Sequence, residues 1–416
     1  MPYVSRLVDS LLAELLGETP AVLVSGPRAS GKTTSARRLA ASSLRLDRPD
    51  DASLVRADPD AALRAEEPLL IDEWQFVPEV LAAVKRAVDD DPRPGRLLLT
   101  GSAAAELGPA GWAMAGRVVR VLLWGLTQRE IVGAAGAASI IDHLFAGDVS
   151  ALSLPSELPD LAGYVDLALR GMLPEMALAP SDRVRHRLLA SYVDHLVVRG
   201  APELGERRDP RMLRRYLQAL AANTAGAPEH KAIYDAAGVD RRTAVAYDAV
   251  LEALFLTERV PAWSSNRFAR LTRAPKRYVT DPALLRVLLG FDGRAVRRNA
   301  DLLGRLIDTF VVAQLRPELE VCVPGVTLAH LRQQNGRREV DLLLEAPDGR
   351  IVAIEVKAAA APDRHDARHL EAVRDAVGQD FAAGVVLHTG ARRFTLSPRV
   401  HALPIAAIWG RHPSAA

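Results

Sequence analysis

The chain has 416 residues, of which 49% are hydrophobic and 25% charged, so it is long enough for two or three ordinary globular domains. Its 53 basic and 51 acidic residues give a net charge of +2, so composition alone does not indicate nucleic-acid binding. The single cysteine, Cys322, excludes an intrachain disulfide and a cysteine-rich zinc site, and no apolar run is long enough to cross a bilayer. We therefore expect a cytoplasmic protein without membrane contact.

The N-terminal third alternates between predicted helices and predicted strands. Helical spacing of leucines covers residues 4–16, apolar strands are predicted at residues 21–24, 44–46, 68–72, 96–100 and 118–123, and a crossover helix is predicted at residues 77–88. Such alternation predicts an α/β domain with a parallel sheet and a ligand at the carboxyl edge of its strands. We place this domain at residues 1–133.

The first strand leads into residues 26–33, GPRASGKT, which match the phosphate-binding pattern GxxxxGK[ST]. In that loop, backbone N–H groups surround the α- and β-phosphates, Lys32 reaches the β- and γ-phosphates, and the Thr33 hydroxyl ligates Mg²⁺. A chance glycine-rich turn is the alternative. The predicted nucleotide-binding residues are Gly26, Pro27, Arg28, Ala29, Ser30, Gly31, Lys32, Thr33 and Thr34.

Two later strands also end in polar residues. Asp72 is predicted to hold Mg²⁺, and Glu73 to orient or deprotonate the attacking water, unless the pair is only a solvated acidic turn. Thr100 or Ser102 would contact the γ-phosphate or the water, the alternative being an ordinary strand exit. Arg117 is a candidate for stabilising the transferred charge, in cis or across a subunit boundary.

The middle of the chain begins with residues 134–180, rich in Ala, Gly, Ser and Pro, which we interpret as a connector. Helices are predicted at residues 184–198, 212–221, 231–237 and 243–254, and strands at residues 255–260 and 276–280, an order typical of a winged helix within residues 181–295. Its basic hairpin would contact DNA phosphates or be an ordinary solvated surface. The basic residues are Arg267, Arg270, Arg273, Lys276 and Arg277.

The last part, residues 296–416, returns to alternating elements. Helices are predicted at residues 302–315 and 364–377, and strands at residues 327–332, 339–344, 351–357 and 385–388. Asp341 lies in one apolar strand, and Glu355 and Lys357 share a face of the next. Two carboxylates and a lysine predict either an Mg²⁺ site for phosphodiester attack or a self-satisfied buried ion-pair network.

The motifs GPRASGKT, LLIDEWQ, LLLTGS and AGR, in this order, resemble those of AAA-type ATPases, specifically a group of uncharacterised prokaryotic ATP-binding proteins. In that group a winged-helix region follows the core, and PKRYVTDPALLRVLLG, residues 275–290, resembles the family's segment there. GRREVDLLLE with AIEVKAA resembles the PD-(D/E)xK endonuclease-like fold of the same proteins. The resemblance implies ATP and Mg²⁺ as cofactors, with Asp72 on the metal and Glu73 as base. It also implies a nuclease-like site of Asp308, Asp341, Glu355 and Lys357, where Asp308 replaces a frequent Glu.

These observations lead to competing functional hypotheses. The first is an Mg²⁺-dependent ATPase whose nucleotide state controls a winged-helix and nuclease-like module on double-stranded DNA. The second is an ATP-gated DNA-cleaving enzyme. The third is an ATP-dependent switch that binds a protein partner through an inactive nuclease-like fold. The residues leave the oligomeric state open.

Overall fold

The computed structural model describes residues 2–101, 115–200, 209–333 and 338–413 of the chain. Within those residues, five strands near the N-terminus form one sheet in the order β2-β3-β4-β1-β5, and every pairing in it is parallel. The predicted parallel sheet is therefore confirmed. The strands are β1 Ala21–Ser25, β2 Ser42–Arg45, β3 Leu69–Asp72, β4 Leu97–Thr100 and β5 Val119–Leu122.

Both faces of this sheet are covered, which explains why its central strands are apolar without alternation. Leu23, Ile71 and Leu99 pack into a core on one face, whereas Leu70 and Leu98 pack on the other. Both cores draw on helices in this part of the chain. The helices of this part of the chain are Asp9–Glu18, Lys32–Arg37, Pro49–Ala57, Pro59–Ala62, Val80–Asp90 and Gln128–Ile131, and all but the last contribute residues to these cores.

A largely helical region follows and surrounds a hairpin of two antiparallel strands, β6 Thr257–Val260 and β7 Lys276–Val279. Residues 134–180, which we expected to connect domains, contribute Ile141, Leu144 and Tyr164 to the largest hydrophobic core, because their helices have fully apolar faces. The helices of this region are Ile140–Ala146, Leu161–Arg170, Pro174–Ala177, Asp182–His195, Pro210–Ala222, His230–Ala237, Arg241–Ala253, Arg267–Thr272, Leu284–Leu289 and Gly293–Arg297.

The C-terminal sheet has the order β12-β13-β11-β10-β9-β8 over the described part of the chain. Strands β10 and β11 are parallel, and β8, β9 and β10 form an antiparallel meander. The last two strands have no clear apolar alternation and were not predicted from sequence. The elements are the helices Ala300–Glu318 and Arg364–Val377 and the strands β8 Thr327–Gln333, β9 Arg338–Glu345, β10 Ile351–Lys357, β11 Phe381–His388, β12 Phe394–Ser397 and β13 Val400–Pro404.

Among the helices of the described residues, none is both long enough and apolar enough to span a lipid bilayer.

Candidate active site

The glycine-rich loop lies between the carboxyl end of β1 and the start of the helix Lys32–Arg37. Gly26 has a φ of 145°, and a Cβ atom there would stand 2.3 Å from the carbonyl oxygen of Leu123. Gly31 precedes the helix with a φ of 98°, which L side chains rarely adopt. Glycine is therefore required at both positions, and the loop's backbone can approach a phosphate chain closely.

Lys32 folds back over this loop. Its ammonium donates hydrogen bonds to the carbonyl oxygens of Pro27 at 2.8 Å and Gly26 at 3.2 Å, and the residue is only 5% exposed. Burial lowers the pKa of Lys32, and the nearby carboxylate of Glu73 acts in the opposite direction. A polyphosphate entering the loop would offer the ammonium a charged acceptor in place of neutral carbonyls.

Three polar side chains meet beside the loop. The Thr33 hydroxyl donates to Asp72 Oδ1 at 2.7 Å, and the Thr100 hydroxyl from β4 donates to the same oxygen. Asp72 itself is 2% exposed at the end of β3. A hydroxyl and a carboxylate are the hard oxygen ligands that Mg²⁺ takes, so Thr33 and Asp72 fit a nucleotide-bound magnesium ion.

Glu73 follows Asp72 in an uncommon backbone conformation, with a φ of 56°. Its N–H donates to the Thr100 hydroxyl at 3.2 Å, and its carboxylate accepts a hydrogen bond from the side-chain amide of Gln75. The left-handed turn makes the two consecutive acids face differently, so Asp72 is held against Thr33 while Glu73 is only half-buried. Ser102, the other predicted contact of the γ-phosphate, lies outside the described residues.

Arg117 does not reach this site within one chain, contrary to one of the two roles predicted for it. Strand β5 runs parallel to β1, with Val119 beside Val22 and Leu122 beside Ser25, so Arg117 lies at the opposite edge of the sheet from the loop. There its guanidinium pairs with Asp89, with Nε and Oδ1 2.7 Å apart. Only a contact with another subunit remains open to Arg117.

Replacing Arg117 with alanine should therefore leave ATP turnover by the monomeric chain unchanged. The reason is geometric, because the guanidinium lies across the sheet from the loop and is bound to Asp89. Turnover of purified protein, measured at concentrations where sedimentation shows monomers, checks this expectation. A loss of turnover in those monomers would contradict the placement.

One contact of the loop was missed from sequence. Arg6 is 5% exposed, and its guanidinium donates to the Ser30 carbonyl at 2.8 Å and to Glu130 Oε1 at 3.0 Å. An isolated arginine in an N-terminal segment carries no motif. The partner acid did have a readable signal, because Thr127 and Glu130 form a capping box at the start of their short helix.

The same short helix, Gln128–Ile131, also contacts the C-terminal helix Ala300–Glu318. The Arg129 guanidinium pairs with Glu318, and the Gln128 N–H donates to Gln314 Oε1 at 2.7 Å. Both members of the Arg129–Glu318 pair are essentially inaccessible to solvent, and burial raises the pKa of Glu318. Leaving either charge unpaired would be costly, so the nucleotide domain is held firmly on this helix.

Two cavities border the loop. One, of about 240 Å³, is lined by Tyr3, Thr34, Ser35 and Pro174 among others and lies beside the start of the helix that follows the loop. The second is small and lies between Pro27, the middle region and the C-terminal helix. A direct contact also joins loop and middle region, because the Tyr192 hydroxyl donates to the carbonyl of Arg28 at 3.3 Å.

The predicted C-terminal residues do come together, but with a partner that the sequence did not reveal. Lys276, from β7, is 1% exposed, and its ammonium lies 2.7 Å from Asp308 Oδ2 and 2.8 Å from Asp341 Oδ1. Lys357 pairs with Glu355 at 2.9 Å. Burial raises the pKa of Asp308 to about 6 and that of Glu355 to about 8.

This arrangement differs from the expected magnesium site. The residues that the structure describes contain no group of three or more His, Cys, Asp or Glu side chains placed to hold a metal ion. The structure shows a buried ion-pair network with Lys276 as its central cation, which is one of the two alternatives considered from sequence. The lysine was missed because it had been assigned to an exposed hairpin.

The basic hairpin is also largely neutralised. Lys276 is buried as described, Arg277 is 8% exposed and pairs with Asp248 at 2.8 Å, and Arg270 pairs with Glu345. Buried or paired cations are not free to bind phosphates, because removing them from their acids leaves those acids unpaired. The expectation that these three residues face DNA is corrected by their packing.

Family models match three segments of the chain. An AAA domain matches residues 18–132, and two domains of unknown function, DUF8612 and DUF4143, match residues 161–295 and 303–408. The parallel sheet, the glycine-rich loop and the AAA match together define the N-terminal part as a P-loop ATPase-like domain. The predicted resemblance to AAA-type proteins is thus confirmed, while the winged-helix and endonuclease-like descriptions stay predictions.

Two curated mycobacterial proteins are similar over nearly the whole chain. Uncharacterized protein Rv2008c of Mycobacterium tuberculosis and Uncharacterized protein Mb2031c of Mycobacterium bovis are each 31% identical over 401 residues, which is 94% of this chain and 82% of each relative. The chain belongs to the same family as these two proteins.

Two solved structures are also similar to parts of the chain. The Walker-type ATPase PABY2304 of Pyrococcus abyssi is 16% identical with a TM-score of 0.41, and the likeness covers 69% of this chain and 96% of that one. A RuvB of Thermotoga maritima is 20% identical with a TM-score of 0.29, covering 68% of this chain and 94% of that one.

Proposed function

We propose that this protein is an Mg²⁺-dependent ATPase that uses the glycine-rich loop of its AAA domain. The observation that carries the proposal is the contact of Thr33 with Asp72 directly beside the loop, where a metal bound to β- and γ-phosphates requires oxygen ligands. Lys32 then binds the phosphates. Thr100, which shares Asp72 with Thr33, is suited to sense the γ-phosphate.

Glu73 is the general base of this proposal. Its left-handed backbone turns its carboxylate away from Asp72, and it is close enough to Lys32 to affect the pKa of that lysine. A carboxylate in that position orients the attacking water and accepts its proton. The cavity of about 240 Å³ beside Thr34 and Ser35 is the candidate pocket for the base and ribose of the nucleotide.

Replacing Glu73 with glutamine should preserve ATP binding and reduce hydrolysis by roughly 100-fold or more, because a general base contributes about 10²–10⁴ to the rate. Calorimetry with magnesium ATP measures the binding, and phosphate release measures the hydrolysis. Glu79→Gln, at an exposed position six residues downstream, is the matched control and should behave as wild type. Hydrolysis at the wild-type rate by Glu73→Gln would contradict the assignment.

The nucleotide state would reach the C-terminal domain through the helix Gln128–Ile131. Glu130 holds Arg6, which binds the Ser30 carbonyl of the loop, and the neighbouring Arg129 holds Glu318. A shift of the loop on hydrolysis therefore acts on a buried charge pair at the end of the helix that carries Asp308. This route supports a switch rather than an isolated ATPase.

A second candidate function is a nucleotide-dependent switch that binds a protein partner through an inactive nuclease-like fold. The placement of Lys276 among the carboxylates favours it over DNA cleavage. The ATPase rate should then be indifferent to double-stranded DNA at both low and physiological salt. Stimulation by DNA that weakens as salt rises would instead support action on DNA.

A further inference from the structure

A cleft of about 690 Å³ opens onto the charged cluster of the C-terminal domain. Asp308, Asp341, Glu355 and Lys357 line it, and the pairing of β10 with β9 ends at Ile354 and Leu342, directly before Glu355. Lys276 enters this cluster from the β6–β7 hairpin, whereas its two partners come from the helix Ala300–Glu318 and from β9. The cation therefore comes from a different part of the chain than the carboxylates.

The carboxylate oxygens nearest the cleft floor are already engaged. The Lys276 ammonium lies between Asp308 Oδ2 and Asp341 Oδ1, at 2.7 and 2.8 Å. The other oxygen of Asp341 accepts the Val356 N–H at 2.9 Å, and that of Asp308 accepts the Tyr278 hydroxyl at 3.1 Å. Every oxygen of the two aspartates thus has a hydrogen-bond donor.

A divalent cation shared by Asp308 and Asp341 would need the position that the ammonium holds. Magnesium binds oxygen ligands at about 2.0–2.1 Å in strict octahedral geometry, so it cannot share the gap with a positive charge in contact with the same two oxygens. Moving the ammonium aside would leave Lys276 as a buried positive charge without a partner, since the residue is 1% exposed. Asp308 and Asp341 consequently do not fit a shared metal ion while Lys276 is in place, and Glu355 adds a single buried oxygen without a hydrogen-bond partner.

We propose that the Lys276 ammonium takes the place of a divalent metal ion in this cluster, so that the cleft is a metal-free site whose charge is balanced from within the chain. Lys276 also links the β6–β7 hairpin to the C-terminal sheet. Its backbone belongs to β7, and its ammonium lies between the helix Ala300–Glu318 and β9.

Manganese binding tests the proposal. Calorimetry with MnCl₂ is done without nucleotide on the full chain, in a Thr33→Ala background that removes the hydroxyl ligand of the loop. The Thr33→Ala protein, the parent, should show no saturable manganese site that depends on Asp341. Adding Lys276→Ala should create one manganese site that binds at least about tenfold more tightly than any manganese binding by the parent. Adding Asp341→Asn to Lys276→Ala should remove the gained site.

Thermal unfolding gives a second readout in case Lys276→Ala is poorly folded. Manganese should raise the unfolding midpoint of Lys276→Ala, because the ion replaces the lost ammonium, and should leave that of the parent unchanged. The proposal is overturned if the parent binds manganese in a manner that Asp341→Asn abolishes. It is equally overturned if Lys276→Ala, folded by circular dichroism, gains neither manganese binding nor stabilisation by manganese.

Discussion

Replacing Lys32 with alanine should reduce ATP turnover by roughly 100-fold or more, the scale on which a positioned charge stabilises a transition state. The physical reason is that Lys32 is the buried cation of the loop, and its ammonium is held at the carbonyls of Gly26 and Pro27. Without it, the charge that develops on the β- and γ-phosphates during transfer has only backbone N–H groups and the metal to balance it.

Phosphate release by the purified Lys32→Ala protein measures this effect, and calorimetry with magnesium ATP shows whether binding is lost as well. Lys231→Ala is a suitable control, because Lys231 is an exposed lysine on a remote helix, where it pairs with Asp235 of the same helix. The control should keep wild-type turnover. Undiminished turnover in Lys32→Ala would remove the proposed site altogether.

Replacing Lys276 with alanine should lower the free energy of unfolding of the C-terminal domain by about 3–5 kcal/mol, the usual cost of breaking a buried ion pair. Two carboxylates, Asp308 and Asp341, whose side chains are only 10% and 19% exposed, would lose their shared cation. Urea unfolding, followed in the presence of a chelator so that no metal ion replaces the ammonium, measures the loss.

The double variant Lys276→Met with Asp308→Asn is the matched comparison. It removes one positive and one negative charge together, so that only Asp341 loses its cation instead of both carboxylates, and it should recover part of the loss. Equal destabilisation by the single and double variants would indicate that neither the stem of Lys276 nor the unpaired charge of Asp308 accounts for the loss. An unchanged midpoint in Lys276→Ala would contradict the buried ion pair itself.

The N-terminal part of the candidate site was accessible from sequence because its geometry is local. A strand, a glycine-rich loop and a helix follow each other within residues 21–37. Gly26 and Gly31 adopt positive φ angles, which glycine reaches more easily than any other residue type. Asp72 and Thr100 end neighbouring strands of a parallel sheet, so their meeting follows from strand order alone.

The supporting contacts of that site were not accessible in the same way. Arg6 and Glu130 are separated by 124 residues and form one buried pair, and neither residue type predicts that the other will be its partner. The same holds for Arg129 and Glu318. An arginine is ordinarily exposed, and only packing decides which few are removed from water and must therefore find an acid.

The sequence by itself determined that this protein carries a phosphate-binding loop on an alternating α/β domain, because that signal is a contiguous motif inside a periodic pattern. Only the tertiary structure decided that Arg117 lies across the sheet from the loop and that Lys276 lies among the carboxylates of the last domain. The difference is physical. The secondary structure of the strand, loop and helix depends on neighbours along the chain. The partner of a buried charge depends instead on which distant elements are packed against it.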